Sequence, residues 1–214
     1  MIRVRKNPIE PPDLAVYGYG ADKVKLAMLS DQYGKCYLCE REVGTDYQVE
    51  HLKSRHQHPE LENVWSNLFI ACSYCNGRKS DSCDDILDPA VADIEQLISQ
   101  TYDSKSGTFS FKSVGPCSVS VDHTVELLSR LFNGARPGMP NLKERRFRSE
   151  FMASYNAFIE KLNVYLESAT TEHREAVERE LAVGAEYLGF KYWIVKSSPN
   201  LEQVFLPTVA WNRK

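Results

Sequence analysis

The sequence predicts an α+β fold: a metal-stapled N-terminal part followed by a mainly α-helical lobe. Three observations carry that reading. Two Cys-x-x-Cys pairs, Cys36–Cys39 and Cys72–Cys75, provide four thiolates at metal-ligand spacing. Two short runs of strand-forming residues, Tyr47-Gln48-Val49-Glu50-His51 and Leu68-Phe69-Ile70-Ala71, sit in the loop between them, and the second runs straight into Cys72. Beyond about Val121, apolar residues recur at intervals of three and four, the period of a helix with one buried face.

Taken in order, the opening through Asn7-Pro8-Ile9-Glu10-Pro11-Pro12 is expected to be extended, because prolines deny a helix interior its hydrogen bonds. A first helix is expected from about Ala21 to Tyr33, with Val24, Ala27, Met28 and the Leu26/Leu29 pair on its apolar face and Gly34 ending it. The metal-bearing segment runs from Cys36 to about Asp88, and a short helix is expected to begin at Asn76. A turn at Ser104–Gly107 before the Phe109-Ser110-Phe111 alternation predicts a hairpin. One helix is marked by Val125, Leu128, Leu131 and Phe132 and stopped near Gly134 and Pro137. A long helix follows, carrying Phe147, Phe151, Tyr155, Phe158, Leu162 and Tyr165. Val177, Leu181, Ala185 and Leu188 mark another, and Tyr192-Trp193-Ile194-Val195 is read as a strand. Residues 1–90 are taken as an N-terminal extension, helix and metal-bearing domain. Residues 91–214 are the α-helical lobe, a candidate partner-binding surface. The aromatic stripe from Phe147 to Tyr165 suits a helix–helix core by default, or a docking face.

The bulk numbers describe an ordinary globular chain: 214 residues, 43% hydrophobic, 26% charged, net charge -3. A polyanion would therefore have to be met by local positive charge, a bound cation or a partner. No stretch reaches the length of a membrane span. The first residues, Met1-Ile2-Arg3-Val4-Arg5-Lys6, lack an apolar h-region, and a cytoplasmic location is expected. Without an export signal, paired cysteines suit a metal better than disulfides.

Two knuckles of this kind make a closed tetrahedral zinc site with no open position, and hence a structural one. The cysteines alone suit a purely structural ribbon equally well. The content of the intervening loop changes that balance. The pattern reads Cys36-x-x-Cys39, Val49-Glu50-His51, Trp65-Ser66-Asn67-Leu68, then Ala71-Cys72-x-x-Cys75-Asn76-x-x-Lys79. This segment resembles the HNH endonuclease family. The resemblance implies a zinc-stapled ββα-metal core in which a hairpin and a helix hold one catalytic divalent cation, Mg²⁺ or Mn²⁺. It further implies His51 as general base, Glu50 and Asn76 as ligands of that cation, and Asn67 in the third family position. Where Glu50 and Asn76 stand, the family often has Asp and His; both residues here still offer an oxygen ligand.

A histidine suits the base role because its ordinary pKa leaves it largely neutral near pH 7. A buried Asn67 could bridge backbone to backbone and fix the orientation of His51. Lys53, Arg55, Arg78 and Lys79 are the candidate phosphate contacts, with Lys79 favoured by its place one turn after Asn76. A second basic group, Lys143, Arg145, Arg146 and Arg148, reads more readily as a solvated helix face. His56 and His58 read as loop residues, His123 and His173 as helix-start residues, and Cys83 and Cys117 as buried or half-buried thiols.

The run from Trp65 to Leu87-Asp88-Pro89, together with overall length, is similar to one branch of the superfamily, the PtuB-like effectors of Septu and retron-associated anti-phage systems. That likeness implies an SMC-like ATPase partner of the PtuA kind. It also allows a retron reverse transcriptase with its DNA as companion, and a substrate that is phage DNA or host RNA such as tRNA. The rival readings are a stand-alone restriction-type HNH enzyme and a non-catalytic zinc module.

Overall fold

The computed structural model describes residues 1–79, 83–134 and 139–207. It begins with two helices, α1 (Pro12–Tyr17) and α2 (Asp22–Asp31). Then come β1 (Tyr47–His51), β2 (Leu68–Cys72) and α3 (Ser73–Asn76). A short α4 (Ile94–Leu97) leads into a hairpin of β3 (Ile98–Asp103) and β4 (Thr108–Ser113). The helical part comprises α5 (Val119–Asn133), α6 (Leu142–Glu167), α7 (Thr171–Glu180), α8 (Leu188–Lys196) and α9 (Pro199–Phe205). The mixed α+β class is as expected, and among the described residues the sheets are small and antiparallel. No described helix is long and apolar enough to cross a membrane.

β1 and β2 pair antiparallel in a register that places Tyr47 opposite Cys72 and His51 opposite Leu68. All five residues of β2 are buried, which is why this strand reads as a continuous apolar run rather than an alternation. Gln32, at the end of α2, ties that helix to β2. Its amide donates to the carbonyls of Lys35 (2.8 Å) and Ile70 (2.9 Å), and its oxygen accepts from the Ile70 N–H (2.7 Å). α2 ends through Tyr33 and Gly34, with φ of 55° and 68°; the glycine meets this left-handed conformation without strain.

One apolar cluster runs from Val24 and Met28 through the four knuckle cysteines and β2 to Phe109, Phe132, Phe147, Phe151 and Phe190. The metal-bearing segment and the helical part therefore share a core across residue 90. The Tyr74 and Phe147 rings stack at 4.4 Å and join α3 to α6, a contact of about 0.5–1.5 kcal/mol beyond its buried area. A second cluster gathers Phe158, Leu162, Val177, Leu181, Leu188, Val195 and Phe205 under α7–α9. Phe147, Phe151, Phe158 and Leu162 are all buried, so the aromatic stripe is core. α6 is started by a capping box between Asn141 and Glu144.

Several expectations are corrected. The proline-rich opening turns into α1, because Pro12 occupies the first turn, where its missing N–H costs nothing. Leu26 is exposed, so the apolar face of α2 is narrower than expected. Asn76 ends α3 rather than beginning it. The helix expected to carry Val177 through Leu188 is broken: α7 stops at Glu180, and α8 starts after Tyr187, whose backbone is left-handed. Tyr192–Val195 is helix, not strand. Cys117 is exposed, and Cys83 is half-buried. Pro137, expected to stop α5, lies outside the described residues.

Candidate metal and nuclease site

The four knuckle sulfurs converge. Cys36, Cys39, Cys72 and Cys75 are all buried, and their Sγ atoms lie within 4.8 Å of one another. Cys39 and Cys72 are 3.9 Å apart. Tetrahedral zinc with Zn–S bonds of about 2.3 Å sets sulfurs about 3.8 Å apart, so the cluster is already the size of a zinc site. The local backbone explains the convergence. The first knuckle turns back through Glu40 N–H on the Cys36 carbonyl (2.8 Å) and is laid on β2 by Tyr37 N–H on the Ile70 carbonyl (3.1 Å). The second knuckle is the start of α3, which follows β2 directly.

Burial pushes the Cys39 and Cys75 thiols well above their ordinary range, whereas hydrogen bonds from the other three sulfurs hold Cys72 down. Four thiolates cannot ionise together in this apolar setting without a cation among them. A soft dication meets that demand, and the donor set is the one zinc prefers.

The second site lies where β1 ends and α3 ends. A cavity of about 290 Å³ is lined by Tyr19, Val49, Glu50, His51, Ser54, Arg55, Asn76 and Lys79. Glu50 and His51 are adjacent on the strand, yet both reach this cavity. His51 is buried, and its Nε2 lies 2.9 Å from the Glu62 backbone carbonyl. Its ring stands edge-on to Tyr19, with centroids 4.9 Å apart. Burial lowers its pKa; the Glu62 carbonyl opposes the shift, and the Arg55 and Lys79 charges reinforce it. The imidazole is therefore held neutral, the form a base requires.

Asn67 is buried and bridges backbone to backbone. Its Oδ1 accepts from the Lys53 N–H (2.8 Å), and its Nδ2 donates to the carbonyls of Lys53 (3.1 Å) and Leu61 (3.2 Å). None of these bonds is to His51; they pin the loop whose next residue, Glu62, holds the ring. Asn76 donates its Nδ2 to the Gln48 side chain, so Oδ1 is the atom it offers a cation. Glu50 and Asn76 thus bring hard oxygen donors of the kind Mg²⁺ or Mn²⁺ takes, and these residues fit that group.

The basic residues separate. The Lys79 side chain is buried, with Nζ 2.8 Å from Glu50 Oε1 and 3.0 Å from the His51 carbonyl that accepts from it. Arg55 bonds the Tyr19 hydroxyl and sits 3.5 Å from the Glu62 carboxylate at the cavity rim. Lys53 is exposed beyond the end of β1. Arg78 lies elsewhere: it stacks on the Tyr74 ring at 3.8 Å and pairs with Glu144 on α6 at 3.3 Å. His56 is exposed, and His58 pairs loosely with Glu60 and Asp84 outside the cavity.

Residues 36–82 match the family model for HNH endonucleases. This stretch is an HNH domain. It covers both cysteine knuckles, Glu50, His51, Asn67, Asn76 and Lys79. An HNH domain implies metal-dependent cleavage of nucleic acid. No curated protein matches the chain. Tyr19 lies outside the HNH domain, as does α6, on which Arg78 is anchored. Neither contact has a local sequence signal, because both are made across long chain separations.

Proposed function

We propose that the protein is an endonuclease that hydrolyses phosphodiester bonds, with His51 activating water. The observation that carries this reading is the pairing of His51 Nε2 with the Glu62 carbonyl inside the cavity of Glu50 and Asn76. A carbonyl only accepts, so Nε2 carries the proton, and Nδ1 is left as the basic nitrogen. Nδ1 takes the proton of an attacking water. A divalent cation bound by Glu50 and Asn76 would supply Lewis-acid stabilisation of the phosphate charge. Asn67 keeps the 53–61 loop, and with it the Glu62 carbonyl, in place. Arg55, at the rim, and the exposed Lys53, beyond the end of β1, hold neighbouring phosphates. The zinc of the four-cysteine cluster fixes the relation of β1, β2 and α3 and takes no part in the chemistry.

The finer reading is a cytoplasmic effector of prokaryotic anti-phage defence, working with an SMC-like ATPase partner. Its support is the resemblance of the Trp65 to Pro89 run to that branch, and a net charge of -3 that suits a substrate delivered by another subunit. The test of the core reading is cleavage of plasmid DNA and of tRNA by purified protein, with and without EDTA. Activity restored by Mg²⁺ or Mn²⁺ while zinc stays bound supports it. Activity indifferent to EDTA refutes it.

A further inference from the structure

The cation at the cavity of Glu50 and Asn76 has a resident competitor. Lys79 reaches it from the second zinc knuckle, where its backbone N–H is fixed to the Cys75 carbonyl at 2.9 Å. The ammonium is held at its tip by Glu50 Oε1 (2.8 Å) and the His51 carbonyl (3.0 Å), with only 2% of the side chain exposed. This is not the posture of a surface lysine waiting for a phosphate. It is a fixed positive charge on the carboxylate that the cation needs.

Among the described residues, the charged side chains lining the cavity are Glu50, Arg55 and Lys79, and Asn76 adds a neutral amide. At the rim, the Glu62 carboxylate faces Arg55 rather than the cavity floor. The donors suit a dication, but this described lining, with two cationic groups beside one carboxylate, holds it weakly until more negative charge arrives. Mg²⁺ sites of this kind are completed by substrate phosphate oxygens, which bring the missing negative charge.

We propose that Lys79 acts as a built-in counter-ion that keeps the Glu50 site weak for divalent cations until a nucleic-acid phosphate arrives, so that cation and substrate bind as a coupled pair. This rests on the reading of Glu50 as a cation ligand. Lys79 is then a positioning residue rather than a phosphate contact. The arrangement gives an enzyme that stays largely unloaded when no strand is present. Coupling between the two ligands is reciprocal: whatever the strand does for the cation, the cation does for the strand.

The experiment measures Mn²⁺ binding by electron paramagnetic resonance on the full, zinc-loaded chain. It compares wild type, Lys79→Met, Lys79→Gln and Glu50→Gln, with and without a phosphorothioate oligodeoxynucleotide. Without oligonucleotide, both Lys79 variants should bind Mn²⁺ about tenfold tighter than wild type, within the usual span of inter-site coupling. With it, the wild type should gain most and the Lys79 variants little. Equal Mn²⁺ affinity in wild type and both folded Lys79 variants overturns the inference. A merely structural lysine would shift the melting temperature and leave Mn²⁺ affinity alone. Should neither variant fold, the wild type decides: an oligonucleotide that fails to tighten Mn²⁺ overturns the coupling. Should no Mn²⁺ signal depend on Glu50 in any variant, with or without oligonucleotide, the reading of Glu50 as a ligand fails instead.

Discussion

The Nε2 of His51 and the backbone carbonyl of Glu62 are 2.9 Å apart, across the mouth of a loop that Asn67 pins. This contact selects the tautomer and aims the remaining nitrogen. His51→Ala should lower cleavage by about 10²–10⁴-fold, the usual contribution of a positioned base, with zinc content and melting temperature held. Cleavage assays alongside metal analysis check this. Unchanged cleavage would take the base role away from His51.

Asn67→Ala should damage stability and activity together. It strands the Lys53 N–H and carbonyl and removes one of the two donors to the Leu61 carbonyl, which keeps the Val64 N–H at 3.2 Å. Losing these contacts should cost about 2–3 kcal/mol in urea unfolding. Cleavage by the folded fraction should also fall, because the loop no longer presents the Glu62 carbonyl squarely. A variant that is less stable but fully active when folded would separate Asn67 from the site.

Cys72→Ser should be far more severe. Cys72 is both the end of β2 and a member of the sulfur cluster, and structural zinc binding is coupled to folding. Zinc measured by atomic absorption should drop to background, and the cooperative thermal transition should be lost. Wild-type melting in this variant would contradict the zinc clamp.

Glu95 makes stability depend on pH. Burial pushes its carboxyl up to about 7, Asp93 and Glu40 add to the rise, and the Arg3 N–H at 3.0 Å opposes it. Among the described residues its Oε1 has no hydrogen-bond partner, as suits a protonated acid. The folded chain holds a proton that the unfolded chain releases near pH 4.3. The stabilisation is therefore complete below that value and is lost as pH rises through about 7. Glu95→Gln should flatten this slope. At pH 8 the variant should exceed wild type by up to about 3 kcal/mol, measured by urea unfolding at pH 5.5 and 8.

The parts of the fold that were legible in the sequence are those decided by local pattern. Tyr47–His51 is a run of strand formers flanked by polar turns and appears with the expected bounds, and the burial of Phe147, Phe151, Phe158 and Leu162 follows their helical spacing. The misread elements were decided by tertiary contact. Leu181 and Leu188 are buried in one cluster and continue the spacing of Val177, although the chain between them is not helical. Tyr192–Val195 has strand-forming residues, but packing of α8 on β3 overrides that preference; there Gly189 leaves room for the Gln100 amide, 2.5 Å from where a Cβ would stand. At the site, sequence reasoning named residues that the structure brings together: Glu50, His51 and Asn76 line one cavity, Asn67 bonds the loop beside it, and the four cysteines converge. The direction of a long flexible side chain was beyond it. Arg78 and Lys79 are neighbours in sequence, yet one reaches α6 and the other the Glu50 carboxylate.

The Tyr19 ring that abuts His51 has a practical corollary for protein engineering. The His51 imidazole leans on an aromatic wall contributed by chain upstream of the recognised motif. Grafting the motif alone into a chimera would carry over the sulfur staple and the residues proposed for acid–base chemistry but discard that wall. A transplant meant to cut should include the leading segment.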